Sequence, residues 1–449
     1  EPVVGVVQRA MRANGLDDTL VRFPSGRYAM DRMFRLSGYA NVGFVGNDAT
    51  VVPTSDFDMT APWLFRMGVL ADPGRDLRFE GFSFDYTAPD TGLRAIEAQV
   101  RDGLSVSDLE VRGQHDTGTL GPALFNVTMG GGTGRVENVR LPDGGAYSVN
   151  TDGDITRGPT GILVSPYHHG TLTLRHCRVD SFPDNGLYAY TPRGTVHVEG
   201  GRYRNSNVAN VRVGGDGSTV RWVRVVVDQN RPEDDDQRGI RVDPGHDIVI
   251  DGVEVSLPSP NGYAVSIMDG VDALTIRDSE ISVGDRPNSG IVISDGAGRA
   301  TIVNTDVHFD GGNHAVAIFG DDPGAVVCQW MTISGTAGGP GGRSAILCYR
   351  DNCEFRDLNV YQPGPERRAL DVYGDGCLAV FGEYMASQYP IFNAGSGTRI
   401  YDLSAASYGD YEALYLYEGN DLEVVRDDLT GGIKQGDVTY AEFHGNTIS

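Results

Sequence analysis

Lysine is almost missing from this chain. Lys434 is the single one, and every other basic residue is an arginine. Acids outnumber bases by 61 to 37, and a formal charge of −24 excludes a general affinity for nucleic acid or anionic membranes. No apolar run reaches the ~18 residues of a membrane-spanning helix, so no membrane span is expected. Cysteine is scarce too: the five cannot all pair within one chain. Cys348 and Cys353 are spaced C-x4-C, but no second Cys or His pair follows at zinc-site spacing, so no metal site is assigned. The 61 glycines follow no three-residue period, which excludes collagen, and 40% hydrophobic residues argue against disorder. The chain begins at Glu1 without methionine, so a removed leader or an earlier domain stays open.

What is present is a repeat. A short apolar strand recurs as GILVS at 161, GLYAY at 186, NVRVG at 210, GIRVD at 239, AVSIM at 264, GIVIS at 290, AVAIF at 315, AILCY at 345 and ALDVY at 369. The intervals are 25, 24, 29, 25, 26, 25, 30 and 24. Both long intervals carry an insertion: the acidic run Arg231–Gln237 and the glycine-rich run Gly335–Gly342. A second alternating strand follows each first one, as in TLTLRHCRV and DIVIDGVEV. Period-two alternation marks one buried face, which a unit this short buries only by stacking on its copies. The expected fold is all-β: a right-handed parallel β-helix of about 15 coils. Inward positions should align Leu187, Val211, Ile240 and Val265. Cys328, Cys353 and Cys377 recur at intervals of 25 and 24 and should stack inside as a ladder of free thiols. Asn185, Asn207, Asn261, Asn288 and Asn313 should form a corner ladder that tolerates the left-handed conformation.

Open solenoid ends need covers. Residues 3–14 place Val3, Val4, Val7, Ala10 and Met11 on one helical face, giving a capping helix and opening coil over 1–53 and a single solenoid over 54–449. The following stretch, TLVRFPSGRYAMDRMFRLSGYANVGFVGNDATVV, resembles the N-terminal start of pectate-lyase-like β-helices, shared with pectin hydrolases and viral tailspikes. The resemblance implies the fold, while its members include lyases, hydrolases, epimerases and adhesins. The acidic, arginine-for-lysine composition also resembles proteins of salt-loving archaea.

Outward positions concentrate polar and aromatic residues between 95 and 245: Glu97, Gln99, Phe125, Ser165, Tyr188, Tyr190, Arg212, Arg241 and Asp243. Such a mixture suits a sugar groove. Arg212 and Arg241 fall at one outward position of successive repeats, and stacked cations call for an anion between them. Asp243 or the acidic run at Asp234, Asp235 and Asp236 would supply it internally, a polyuronate carboxylate externally. In the lyases that the chain resembles, an arginine or lysine takes the proton α to the uronate carboxyl, so the resemblance implies Arg212, Arg241 and Asp243 as catalytic. Glu97, Gln99, Tyr188, Tyr190 and His168 are the expected substrate contacts.

Two other motifs are weaker. Asn150-Thr-Asp152-Gly matches one element of pectin hydrolases, without the Asp-Asp and Gly-His-Gly that should follow. Asp243-Pro-Gly-His246-Asp247 resembles a mannuronan-epimerase element with a glycine inserted. The reading is therefore an extracellular or surface carbohydrate-active protein in a high-salt setting, a lyase on an acidic polysaccharide. The alternative is a non-catalytic adhesin or tailspike that grips cell-surface glycans. The cofactor is unassigned, with Ca2+ the candidate ion and no specific site for it. An apolar stripe of Val292, Phe319, Leu347 and Tyr349 is the candidate face for a homotrimer.

Overall fold

A computed structural model describes residues 2–153, 155–320, 324–340 and 343–449; the last two residues of the glycine-rich insertion lie outside these. The chain is nearly all β, with one α-helix among the described residues, Val3–Asn14. It divides into two compact units, 1–225 with 230–237, and 226–229 with 238–449. Each unit is a parallel β-helix, coiled in the right-handed sense that parallel crossovers take.

In each unit one sheet holds the short recurring strand. Among the described residues the first unit has seven of these: Phe34–Leu36, Trp63–Met67, Arg94–Val100, Ala123–Val127, Ile162–Leu163, Asn185–Tyr190 and Ala209–Gly214. The second unit has nine, from Arg238–Val242 to Ile433–Val438. Two turns escape the period read from sequence, at Phe34–Leu36 and Ile433–Val438. The expected inward residues align within each unit. Leu187 faces Val211 and Ile240 faces Val265 across parallel ladders, and all four are fully buried. The first coils fill their interior with phenylalanine: Phe44, Phe65 and Phe79 approach one another at ring centroids of 5.1–6.0 Å. The helix covers this end with Val4, Val7 and Met11, while Ala10 turns to solvent.

The corner ladder lies elsewhere than expected. None of Asn185, Asn207, Asn261, Asn288 and Asn313 has a positive φ. The left-handed residue sits within the second strand pair instead, once per coil, as at Asn138, His176 and Trp222 in the first unit and Asp278, Asn304, Trp330, Asp357 and Phe381 in the second. There the side chains do bond along the stack: Asn138 donates to Asp108 at 3.0 Å, and Asn304 to Asp278 at 2.6 Å. The left-handed conformation falls at the bend of the long strand, not at the start of the short one; short polar side chains tolerate it best, yet His176, Trp222, Trp330 and Phe381 adopt it as well.

The cysteines are all free and buried. Cys353 and Cys377 occupy one coil position, since the residues after them, Glu354 and Leu378, are paired. Cys328 is displaced, paired with Phe355. The third thiol of this cluster is Cys348, which with Cys377 donates to the Arg350 carbonyl, at 3.2 and 3.4 Å. A nearby guanidinium braces this region: Arg350 is fully buried and donates to the carbonyls of Ser294, Ala297, Gly298, Phe319 and Gly324.

Candidate functional site

The outward face of the short-strand sheet in the first unit runs through Glu97, Leu124, Leu163, Tyr188 and Arg212, which are paired in register. Phe125 is not on it. The strand Ala123–Val127 is offset by one residue from the reading above, so Phe125 fills the interior and Leu124 and Asn126 turn outward.

Much of this face is covered. Glu97 is only 3% exposed and accepts hydrogen bonds from Trp63 Nε1 at 2.8 Å, Gln99 Nε2 at 2.9 Å, Arg66 Nε at 3.1 Å and Arg94 at 3.1 Å. Burial pushes its pKa up, but Gln99, Arg94, Trp63 and Arg66 together hold it below the usual carboxylate value. Asn126 and Ser165 are bonded to each other twice, at 2.8 and 3.0 Å. His168 is fully buried: its Nδ1 accepts the Val127 N–H at 3.0 Å, which leaves Nε2 to donate to the Thr195 carbonyl at 3.2 Å. Burial lowers its pKa to about 4, so it is a neutral strut between strands. Glu97, Gln99 and His168 thus brace the face from within. Tyr188, Tyr190 and Arg212 stand half-exposed on it, with the Arg212 guanidinium 4.3 Å from the Tyr188 ring centroid.

The acidic run does not hang free in solvent. Arg231 lies 4.7 Å over the Tyr147 ring, bonds Asp234, and donates to the carbonyls of Gly145 and Ser181. Asp234 also accepts from the Tyr147 hydroxyl, and Asp235 binds Arg157 at 2.6 Å and Asn207 at 3.0 Å. These contacts clamp the insertion onto the first unit. A groove of about 370 Å³ lies at the bend of the long strands, but Asp48, Asp108 and Glu110 line it against Arg140 alone, which disfavours an anionic ligand.

In the second unit, Arg241 Nε donates to Asp243 at 3.0 Å, and Asp243 is 2% exposed. His246 is engaged at a turn by Asp247 and Asp272. Further on, polar and aromatic outward residues extend well beyond the stretch 95–245 in which the sequence reading concentrates them. Leu347, Asp371, Phe392, Tyr415 and Lys434 are paired in one column. Beside them the rings of Phe319 and Tyr349 stack at 6.3 Å, and those of Tyr349 and Tyr373 at 4.8 Å. Phe392 meets Tyr373 at 5.7 Å and Tyr417 at 5.5 Å. Arg368 lies 4.2 Å over Phe392 and 3.4 Å from Asp371. Lys434 donates to the Tyr389 hydroxyl at 2.7 Å and lies 4.5 Å over Tyr415. Asp371 is 1% exposed; burial, only partly offset by Arg368, Ser344 and Arg367, raises its pKa to about 7. The outward reading from sequence ends at Tyr349; carrying the same third and fifth positions on to ALDVY at 369 and to ALYLY at 413 gives Asp371, Tyr373, Tyr415 and Tyr417. The lone lysine was itself a signal. Among the described residues no group of three or more His, Cys, Asp or Glu is placed to hold a metal ion.

Residues 160–327 match the family model described as a right handed beta helix region. No curated protein matches the sequence. Among solved structures, the chain is similar to the tailspike protein of E. coli bacteriophage HK620 in complex with a pentasaccharide, at 13% identity over 89% of this chain and 72% of that one, with a TM-score of 0.41. It is also similar to PfbA, a surface adhesin of Streptococcus pneumoniae, at 10% identity over 100% and 90% of the two chains and a TM-score of 0.30. The A-module of a mannuronan C-5 epimerase from Azotobacter vinelandii matches at 11% identity over 100% and 94%, with a TM-score of 0.26. These likenesses concern the fold alone.

Proposed function

We propose that the protein is an extracellular or surface carbohydrate-active β-helix that engages an acidic polysaccharide on the outward face of its short-strand sheet, in a high-salt setting. The observation that carries this reading is the Arg212 guanidinium held 4.3 Å over the Tyr188 ring. A cation beside an aromatic face matches a uronate, which offers a carboxylate and an apolar ring face together. Tyr188, Tyr190 and Arg212 are the proposed contacts in the first unit. Arg241, oriented by Asp243, is proposed for the same class of ligand in the second, and each set is tested by itself.

The chemistry proposed is β-elimination. A base takes the proton α to the uronate carboxyl, the electron pair forms the new C=C bond, and the C–O bond to the next sugar breaks as its oxygen is protonated. Arginine is the candidate base and the neutralising cation. A non-catalytic adhesin or tailspike is the second reading, and one observation favours it: the polar residues Glu97, Gln99 and His168 are buried as struts, which leaves aromatic and cationic surface for gripping.

The test is incubation of the full chain in high salt with uronate polymers, following the ultraviolet absorbance of an unsaturated product and, separately, polymer retention. Arg212→Ala should weaken binding about tenfold while leaving the unfolding midpoint unchanged. Product without retention loss in that variant would move the site away from Arg212. Retention without product selects the binding reading, and neither sinks both.

A further inference from the structure

The second unit carries a surface that the reading above does not use. Tyr349, Tyr373 and Tyr417 are 45%, 36% and 47% exposed, although their rings belong to one packed set built on Phe319 and Phe392. Parallel strands about 4.8 Å apart hold the rings in file. Val292 and Leu347, two members of the stripe expected to be apolar, are buried, so ring faces and not aliphatic chains meet solvent. Two cations stand among these rings in a protein of net charge −24. Lys434 lies over Tyr389 and Tyr415, and among the described residues no carboxylate forms an ion pair with it; Glu412 contributes only at longer range. Arg368 is kept flat on Phe392 by Gln388 at 3.2 Å and Asp371 at 3.4 Å. Asp371, almost wholly buried behind this guanidinium, has one carboxylate oxygen without a hydrogen-bond partner.

Burying a carboxylate with an open oxygen is costly, and exposing packed tyrosines forgoes hydrophobic stabilisation. Both costs are met in one place, where rigid ring faces alternate with positioned cations. We propose that this face of the second unit is a saccharide-binding platform for an acidic glycan: sugar rings stack on Tyr349, Tyr373 and Tyr417, and carboxylate or sulfate groups meet Arg368 and Lys434. The platform shares a ligand class with the preceding reading and no residue with it. It needs no catalysis. Asp371 is a positioning residue that fixes Arg368.

The experiment uses the full chain and a panel of polygalacturonate, alginate, hyaluronan and chondroitin sulfate, with dextran as the neutral control. Retention in affinity electrophoresis is compared for the wild type, the double variant Tyr349→Ala with Tyr373→Ala, Lys434→Gln, and Arg212→Ala, each checked for fold by circular dichroism and for mass by sedimentation. For at least one acidic polymer the double tyrosine variant should lose about tenfold or more in affinity. Lys434→Gln should lose less and show a shallower salt dependence. Both effects should persist in the Arg212→Ala background. If the tyrosine and lysine variants are retained like wild type while Arg212→Ala abolishes retention, the platform is refuted and the first-unit reading stands. Loss confined to the tyrosine and lysine variants refutes the first-unit reading alone. Equal retention of dextran overturns the acidic class. A tyrosine variant that changes only the sedimenting mass shows a contact between copies of this chain instead, and an empty panel overturns the platform.

Discussion

Replacing Asp371 by asparagine should stabilise the protein above neutral pH and do little below pH 5. The carboxyl lies between Leu347 and Phe392 in the outward column, with Arg368 against it and Ser344 and the buried Arg367 nearby. Its pKa is raised from 3.8 to about 7, chiefly because burial penalises the charge. The folded state therefore holds the proton more tightly than the unfolded chain does. The associated stability is fully present below about pH 4 and is lost as pH rises through 7. At about 1.4 kcal/mol per pH unit, the upper bound on this loss is about 4 kcal/mol, of which some 2 to 3 kcal/mol falls between pH 5 and pH 8. Asparagine copies the shape of the protonated acid and cannot ionise.

Urea unfolding of both proteins at pH 5 and pH 8 reads the difference directly. Asp427, whose pKa burial also raises to about 7, is common to both and cancels. Because a solenoid opens in sections, amide exchange in the strands Ser344–Cys348 and Arg368–Val372 gives the local counterpart. The expected result is a wild type that loses some 2 to 3 kcal/mol more between pH 5 and pH 8 than the variant does. The reasoning fails if Asp371→Asn is less stable at both pH values by the same amount. That outcome would mean Arg368 keeps the carboxylate ionised throughout, so that asparagine only breaks an ion pair.

Thiol titration should count five reactive cysteines in denaturant and none in the native protein, since all five are buried and free. A lower count in denaturant would reveal a disulfide. Trp330 is 58% exposed yet holds φ at 52°, in file with Asn304 and Asp357. Trp330→Asn should relieve about 1 kcal/mol of left-handed strain and raise the unfolding midpoint; a lowered midpoint would mean that the indole packs more than its exposure indicates.

The parts of this molecule that repeat were the parts legible in its sequence. Leu187, Val211, Ile240 and Val265 are spaced by the coil, and stacking leaves their side chains one place to go. Single-coil departures defeated the same logic. One residue of offset at Ala123–Val127 exchanged Phe125 for Leu124 and Asn126, because a strand has only two faces. Cys328 keeps the interval to Cys353 but not the register, since the turn between their strands differs in length. Burial of the outward face was illegible for another reason. Glu97 and His168 are polar, and period-two alternation sends polar residues out; only the neighbouring Trp63, Arg66 and Arg94 decide that Glu97 is enclosed. The contacts from Trp63 and Arg66 come from the neighbouring coil, which periodicity does not see. The tyrosine-rich face was written in the same third and fifth positions, and the lone lysine at its far end marked it.

Where the arginines go makes the remaining ones informative. On the long-strand sheet they are consumed in pairs: Arg78 with Glu80, Arg112 with Glu110 and Arg135 with Glu137 in the first unit, and Arg277 with Asp251, Arg356 with Glu354 and Arg426 with Asp402 in the second. Exposed pairs of this kind contribute little stability each, but they keep an acidic surface from repelling itself. A protein with so large an excess of acid has a carboxylate at hand for almost any cation. Arg212 lies on the Tyr188 ring, Arg368 lies on Phe392 as well as against Asp371, and Lys434 lies over Tyr389 and Tyr415, where among the described residues no carboxylate forms an ion pair with it. Solubility does not require that arrangement, and core packing does not produce it. A cation on a ring offers charge and a flat apolar face within one sugar's reach, and both are held by a backbone that has little ordering entropy left to lose. An acidic saccharide uses both at once, whereas a neutral glycan uses only the ring and a simple anion only the charge.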